Sequence, residues 1–161
     1  MQGNERQKPS MIGVEREPRQ LIVAAGLIVA TAIVQTIAVL VLEDVVWLWQ
    51  DRVTENNSRP RLMAFVCGVI VYLFALHITE ISIWAALYLR VAHYPTFSLA
   101  LYESGLAFTT LDVPQLPPAW RFLGPAEGIA GLLMFAWSTT VMFNQTHWIS
   151  EARRKYFRQR H

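Results

Sequence analysis

Ionisable side chains are missing from long stretches of this chain. Residues 20–42 and 128–150 contain no Asp, Glu, Lys or Arg, and residues 62–89 contain only Glu80. A soluble domain of 161 residues would scatter its charges throughout, whereas here they cluster and leave gaps. Each gap meets or exceeds the roughly 20 residues needed to cross a hydrocarbon core of about 30 Å. Three membrane-spanning helices are therefore predicted, in an all-α integral membrane protein. Cysteine is nearly absent as well. The one thiol, Cys67, excludes an internal disulfide and is read as buried packing material inside the second apolar run. No nucleophile-and-base set, metal-ligand cluster or glycine-rich phosphate loop is present, so no enzyme, cofactor or metal centre is expected. A net charge of +2 is too small to argue for nucleic acid. The first apolar run starts too late and runs too long for a signal peptide, and is read as a retained helix.

What is present divides into four parts. Residues 1–19 are polar, of mixed charge, and carry Pro9 and Pro18, which predicts a flexible tail. Residues 20–61 hold a first span over 20–42, apolar on every face and expected to be peripheral, followed by a connecting loop. In that loop Trp47 and Trp49 are placed as interfacial anchors, and Arg59-Pro60-Arg61 marks the next helix start. Residues 62–150 carry the second span, a break at 91-VAHYPT-96, a short helix and the third span at about 125–149. Residues 151–161 form a basic tail, with five Lys/Arg beside a span, which places it in the cytoplasm and the N-terminus outside. Such a tail also suits contact with anionic membrane lipid.

The short helix poses the structural problem. Pro95 disfavours helix at Tyr94 and Thr96 can cap a new start, so a helix is predicted over 97-FSLALYESGLAF-108. Its length is about 18 Å, roughly half of a bilayer core. The segment 109–120 is too polar and proline-rich to span, yet it must lead the chain back to the side from which the third span starts. A half-length helix with an extended return is a re-entrant loop. Irregular backbone at that depth is tolerated only inside protein or against water, which calls for several copies around an axis.

The run 99-LALYESGLAFTTL-111 followed by 116-LPPAWRFLGPAEGIAGLLMFAWSTTVMF-143 resembles the pore module of bacterial potassium channels. It is most similar to small members with one additional helix ahead of the two pore helices, which share a pattern like 77-HITEISIWAALYL-89. The likeness covers roughly residues 62–150. It implies a homotetramer in the inner membrane of a bacterium, with four pore helices pointing their carboxyl ends at a central cavity. It also implies that carbonyls of a T-x-G-Y-G strand replace the hydration shell of potassium. Thr109 and Thr110 match the family's threonines, whose hydroxyls face the axis.

The match fails at the filter. Where the family has G-Y-G-D and about two further residues before L-P-P, this chain has, after Leu111, only Asp112, Val113, Pro114 and Gln115. Alternate residues of a carbonyl-lined filter need dihedrals that glycine supplies, Val113 resists, and the ring of Pro114 forbids. A multi-site potassium filter cannot be built from this loop. Two readings follow. In the first, Asp112 heads the return strand and four copies form a carboxylate ring attracting monovalent or divalent cations with weak selectivity. Alternatively, Asp112 matches the aspartate behind the family's filter, and Val113, Pro114 and Leu116 plug a non-conducting relic. A membrane scaffold or accessory subunit, or a regulatory subunit mixing with related channel chains, is the reading from another class.

Further candidates lie on the spanning helices. Gly131, with Gly128, permits either close helix packing or a gating bend. Ser138, Thr139 and Thr140 are cavity candidates, of which one is expected to face the axis. Phe135 and Met142 are candidates for an inner gate. His77 and Glu80 share a helical face and are read as a hydrogen-bonded pair directed at the short helix. Glu103 is expected to be protonated, or paired with Arg121 or a group of another subunit. Glu127 is read as a solvated or capping charge at the start of the third span.

Overall fold

The computed structural model describes residues 16–55 and 59–158. The chain forms four α-helices: α1 (Arg16–Glu55), α2 (Arg59–Val91), α3 (Phe97–Phe108) and α4 (Leu123–Arg158), with one 3₁₀ turn at Pro118–Trp120. Segments Pro18–Leu48, Pro60–Val91 and Pro118–Glu151 are long and apolar enough to cross a membrane. No strand occurs among the described residues.

Several boundaries differ from the sequence expectation. α1 begins at Arg16 rather than 20 and takes Pro18 into its first turn, where the missing N–H has no helical partner to lose. Residues 16–19 of the predicted tail are therefore helix, and residues 1–15 lie outside the described residues. α1 also runs through Glu55, so residues 43–55 are helix and not loop; the run from Glu43 holds no Gly or Pro to stop it. The link to α2 shrinks to residues 56–58, outside the described set. At the other end α4 continues to Arg158, making most of the basic tail an extension of the third span; residues 159–161 are not described.

α1 is not lipid-facing all round. Gln20, Ala24, Thr31, Gln35, Val39, Leu42 and Val46 are buried along one stripe, packed against α2 and α4. Three polar side chains on this stripe were the available signal, because polar groups in a charge-free span turn inward. Tyr72 of α2 donates to the Ala38 carbonyl at 2.7 Å, and the Phe122 N–H donates to Gln20 Oε1 at 3.3 Å. The second bond, with Arg19 over the Trp120 ring at 5.9 Å, brings the start of α1 and the start of α4 to one end of the bundle. Cys67 is exposed on α2 and so is not buried packing.

α3 has the predicted bounds. Thr96 caps it, accepting from the Leu99 N–H at 3.3 Å, and α2 stops ahead of it with His93 in the left-handed region at φ 54°. α3 wedges between α2 and α4 and buries Ala100, Ser104, Ala107 and Phe108. Its far end reaches mid-span: the Phe108 ring lies 5.9 Å from His77 and 5.5 Å from Phe135. The approach to α4 is too close for side chains. A Cβ on Gly131 would stand 2.0 Å from the Phe108 carbonyl oxygen, and one on Gly128 would stand 3.2 Å from that of Ala107. Both glycines are packing positions at the α3–α4 contact.

Candidate functional site

α3 ends in a closed cap. The Thr110 N–H donates to the Ala107 carbonyl and the Leu111 N–H to the Leu106 carbonyl, both at 2.9 Å, with Thr110 left-handed at φ 59°. This is the double-bonded αL termination that glycine normally occupies. Here a β-branched threonine holds it, an uncommon and strained choice. The Thr109 hydroxyl donates to Gly105 O at 2.7 Å, with Leu106 O at 3.3 Å. The last-turn carbonyls are thus largely occupied within the chain. The Thr109 hydroxyl is bonded back to its own helix, and both threonines are exposed on the single chain.

Beyond the cap, residues 111–117 run without regular structure. Leu111 and Val113 are 77% and 62% exposed, while Pro114 is buried beside Gly124, where a Cβ would meet the proline ring at 2.8 Å. Asp112 is exposed, and its Oδ1 accepts the adjacent Val113 N–H at 2.7 Å. The Tyr94 hydroxyl donates to the Gln115 carbonyl at 3.3 Å. Burial pushes the Tyr94 phenol above its usual value and the nearby Glu103 carboxylate adds to this, while the bond to Gln115 opposes both. Glu103 itself is half-buried. It belongs to neither ion pair among the described residues, His77–Glu80 and His147–Glu151, so the expected pairing with Arg121 does not form within one chain. Arg121 instead lines an open cavity with Gln20, Leu21, Val113, Phe122 and Pro125.

A chain of buried polar groups crosses the bundle at the level of the α3 tip. Glu80 Oε2 lies 2.9 Å from His77 Nδ1, His77 Nε2 lies 3.1 Å from Ser138 Oγ, and the Gln35 amide donates to Ser138 Oγ at 3.1 Å. The sequence pairing of His77 with Glu80 is present, but its target is not α3. It joins α4 through Ser138 and α1 through Gln35, while α3 supplies only the apolar Phe108 ring. Phe135 packs against both rings, 4.7 Å from that of His77 and 5.5 Å from that of Phe108. Ser138, His77 and Glu80 have the bonding order of a nucleophile, base and acid. Ser138 itself is buried within α4. Among the described residues no three His, Cys, Asp or Glu side chains converge as metal ligands.

Hydroxyl bonding sets two positions apart. Thr31, Thr36, Thr79, Ser82, Thr109, Thr139, Thr140, Thr146 and Ser150 all donate back to their own helix. Ser138 and Ser104 reach across to other helices. Ser104 of α3 meets the Ile81 carbonyl of α2 at 2.9 Å and Glu127 Oε1 of α4, and Glu127 Oε2 accepts from the Tyr88 hydroxyl of α2. Glu127 is therefore fully buried, not solvated: it ties α2, α3 and α4 together. Its helical register with Gly131, Met134 and Ser138 was the signal that sequence reading missed, because one face of α4 carries all four. Of the other candidates, Thr139 and Thr140 are exposed, Phe135 is partly exposed, and Met142 packs partly against the Val39–Leu73 cluster.

No family model, curated protein or solved structure matches this chain.

Proposed function

We propose that this is a homotetrameric pore-loop membrane protein of the potassium-channel class that lacks a potassium filter. The observation carrying the reading is the exposed polar face of α4. Thr139, Thr140, Asn144, His147 and Ser150 recur at helical spacing along the second half of the third span, all exposed on a single chain. Polar groups at that depth belong against water or protein rather than lipid tails. The exposed tip 109–113 of α3 agrees, since its terminal residues need similar cover. On this reading the α4 face and the α3 tip line a shared axis, α3 is a re-entrant helix, and the N-terminus lies outside a bacterial inner membrane.

The cap on α3 favours absence of selective potassium conduction. The carbonyls of Leu106 and Ala107 are already bonded, and Leu111 and Val113 crowd the tip with apolar side chains. Any current then depends on the four Asp112 carboxylates and discriminates poorly among cations. Purified protein should migrate as four 18.4 kDa chains in mild detergent. In planar bilayers, Asp112→Asn should reduce whatever cation current the parent carries. A monomer in solution would remove the proposal; a parent that conducts with strong preference for potassium would remove its second half. If neither protein conducts, the tetramer stands as a scaffold or accessory subunit that retains the channel fold.

A further inference from the structure

Among the described residues, three buried polar atoms have no side-chain or backbone partner: Gln35 Oε1, Glu80 Oε1 and Trp84 Nε1. Glu80 and Trp84 are fully buried and stand four residues apart on α2, so they occupy one face, one turn apart. Their chemistry is complementary. The carboxyl oxygen is an acceptor, and the indole N–H can only donate. Neither has a substitute partner in the protein. The other oxygen of Glu80 is held by His77 Nδ1 at 2.9 Å, and the Trp84 ring lies in an apolar cluster with Ala24, Ala100, Leu123 and Ala126. Both groups are fully buried within a bundle of membrane-crossing length, so bulk solvent satisfies neither.

We propose that a bound water molecule bridges Glu80 Oε1 and Trp84 Nε1. It accepts the indole hydrogen and donates one hydrogen to the carboxyl oxygen. Two such partners are within the usual complement of a buried water. The water extends the polar chain to Trp84–water–Glu80–His77–Ser138–Gln35, linking α2, α4 and α1. It also orients Glu80, whose free oxygen is held toward the indole while Oε2 is presented to His77. The tautomer and tilt of the His77 ring therefore depend on an indole one turn beyond Glu80. The inference is independent of whether the protein conducts.

The test is nuclear magnetic resonance on the full chain in lipid nanodiscs, labelled with ¹⁵N at tryptophan and histidine. Trp84→Phe identifies the Trp84 indole signal by its loss. The parent should show a cross-peak between that indole proton and water, retained in Glu80→Gln and lost in Glu80→Leu. Trp84→Phe should also shift the His77 ring nitrogens, because the Glu80 carboxyl is released. Absence of the water cross-peak in the parent, or its persistence in Glu80→Leu, overturns the proposal. Should Glu80→Leu fail to fold, His77 nitrogens unmoved by Trp84→Phe overturn it independently.

Discussion

Glycine and glutamate at single positions carry much of the tertiary specificity. A methyl group on Gly131 would lie 2.0 Å from the Phe108 carbonyl oxygen, so backbone must move to admit it. Overpacking of this kind costs about 1–3 kcal/mol. Gly131→Ala should therefore lower the thermal midpoint in detergent. Gly105→Ala should leave it level or raise it, because nothing lies within 4 Å of a Cβ there and alanine favours helix by about 1 kcal/mol. Glu127 is the second case. It accepts from Tyr88 and Ser104; removing it strands the buried Tyr88 hydroxyl, while Ser104 keeps the Ile81 carbonyl as its acceptor. A stranded group of this kind costs about 1–3 kcal/mol. Glu127→Leu should destabilise the fold strongly, and Glu127→Gln, which keeps an acceptor, should recover part of the loss in the same melting assay.

At the scale of elements, the decisive feature is how α3 stops. Thr110 takes a conformation that costs an L-residue about 1–2 kcal/mol, and the two carbonyl bonds of the cap depend on it. Thr110→Gly should stabilise the protein by up to about 1 kcal/mol, offset by lost contact of its methyl with α4 beside Gly128. A lower midpoint in this variant would mean that the methyl contact outweighs the backbone strain. The bounds of α3 were legible because Pro95, Thr96 and the 109–118 segment are strong local signals. Its C-terminal geometry was not, since no glycine marks position 110. The lengths of α1 and α4 were misjudged for a related reason: hydropathy reports where a helix leaves lipid, not where its hydrogen bonds end.

At the scale of the molecule, α1 belongs to the folded core. It contributes the buried stripe from Gln20 to Val46 and donates through Gln35 to the polar chain centred on His77. Deleting residues 1–55 should expose Ser138, Tyr72 and Val141 to lipid and leave α2–α4 unable to fold, rather than yielding a minimal two-span protein. Size-exclusion chromatography of the truncated chain checks this; a monodisperse, helical product would contradict it. A peripheral α1 was a natural reading of composition, since every face looked apolar. Only three inward polar residues distinguished one face from the others.

The sequence by itself determined the membrane class, the three apolar spans and the short capped helix. These depend on local properties: runs without charge, proline stereochemistry, and the dihedrals each residue permits. Tertiary structure alone decided where the polar groups point. His77 and Glu80 share a face in any helix, but only packing directs them toward Ser138 and Gln35, 61 and 103 residues apart from their partners in those bonds. Glu127 likewise looks like a surface charge until α3 closes over it. The physical reason is that burial in a bundle depends on which faces meet, and residues remote in sequence settle that choice together.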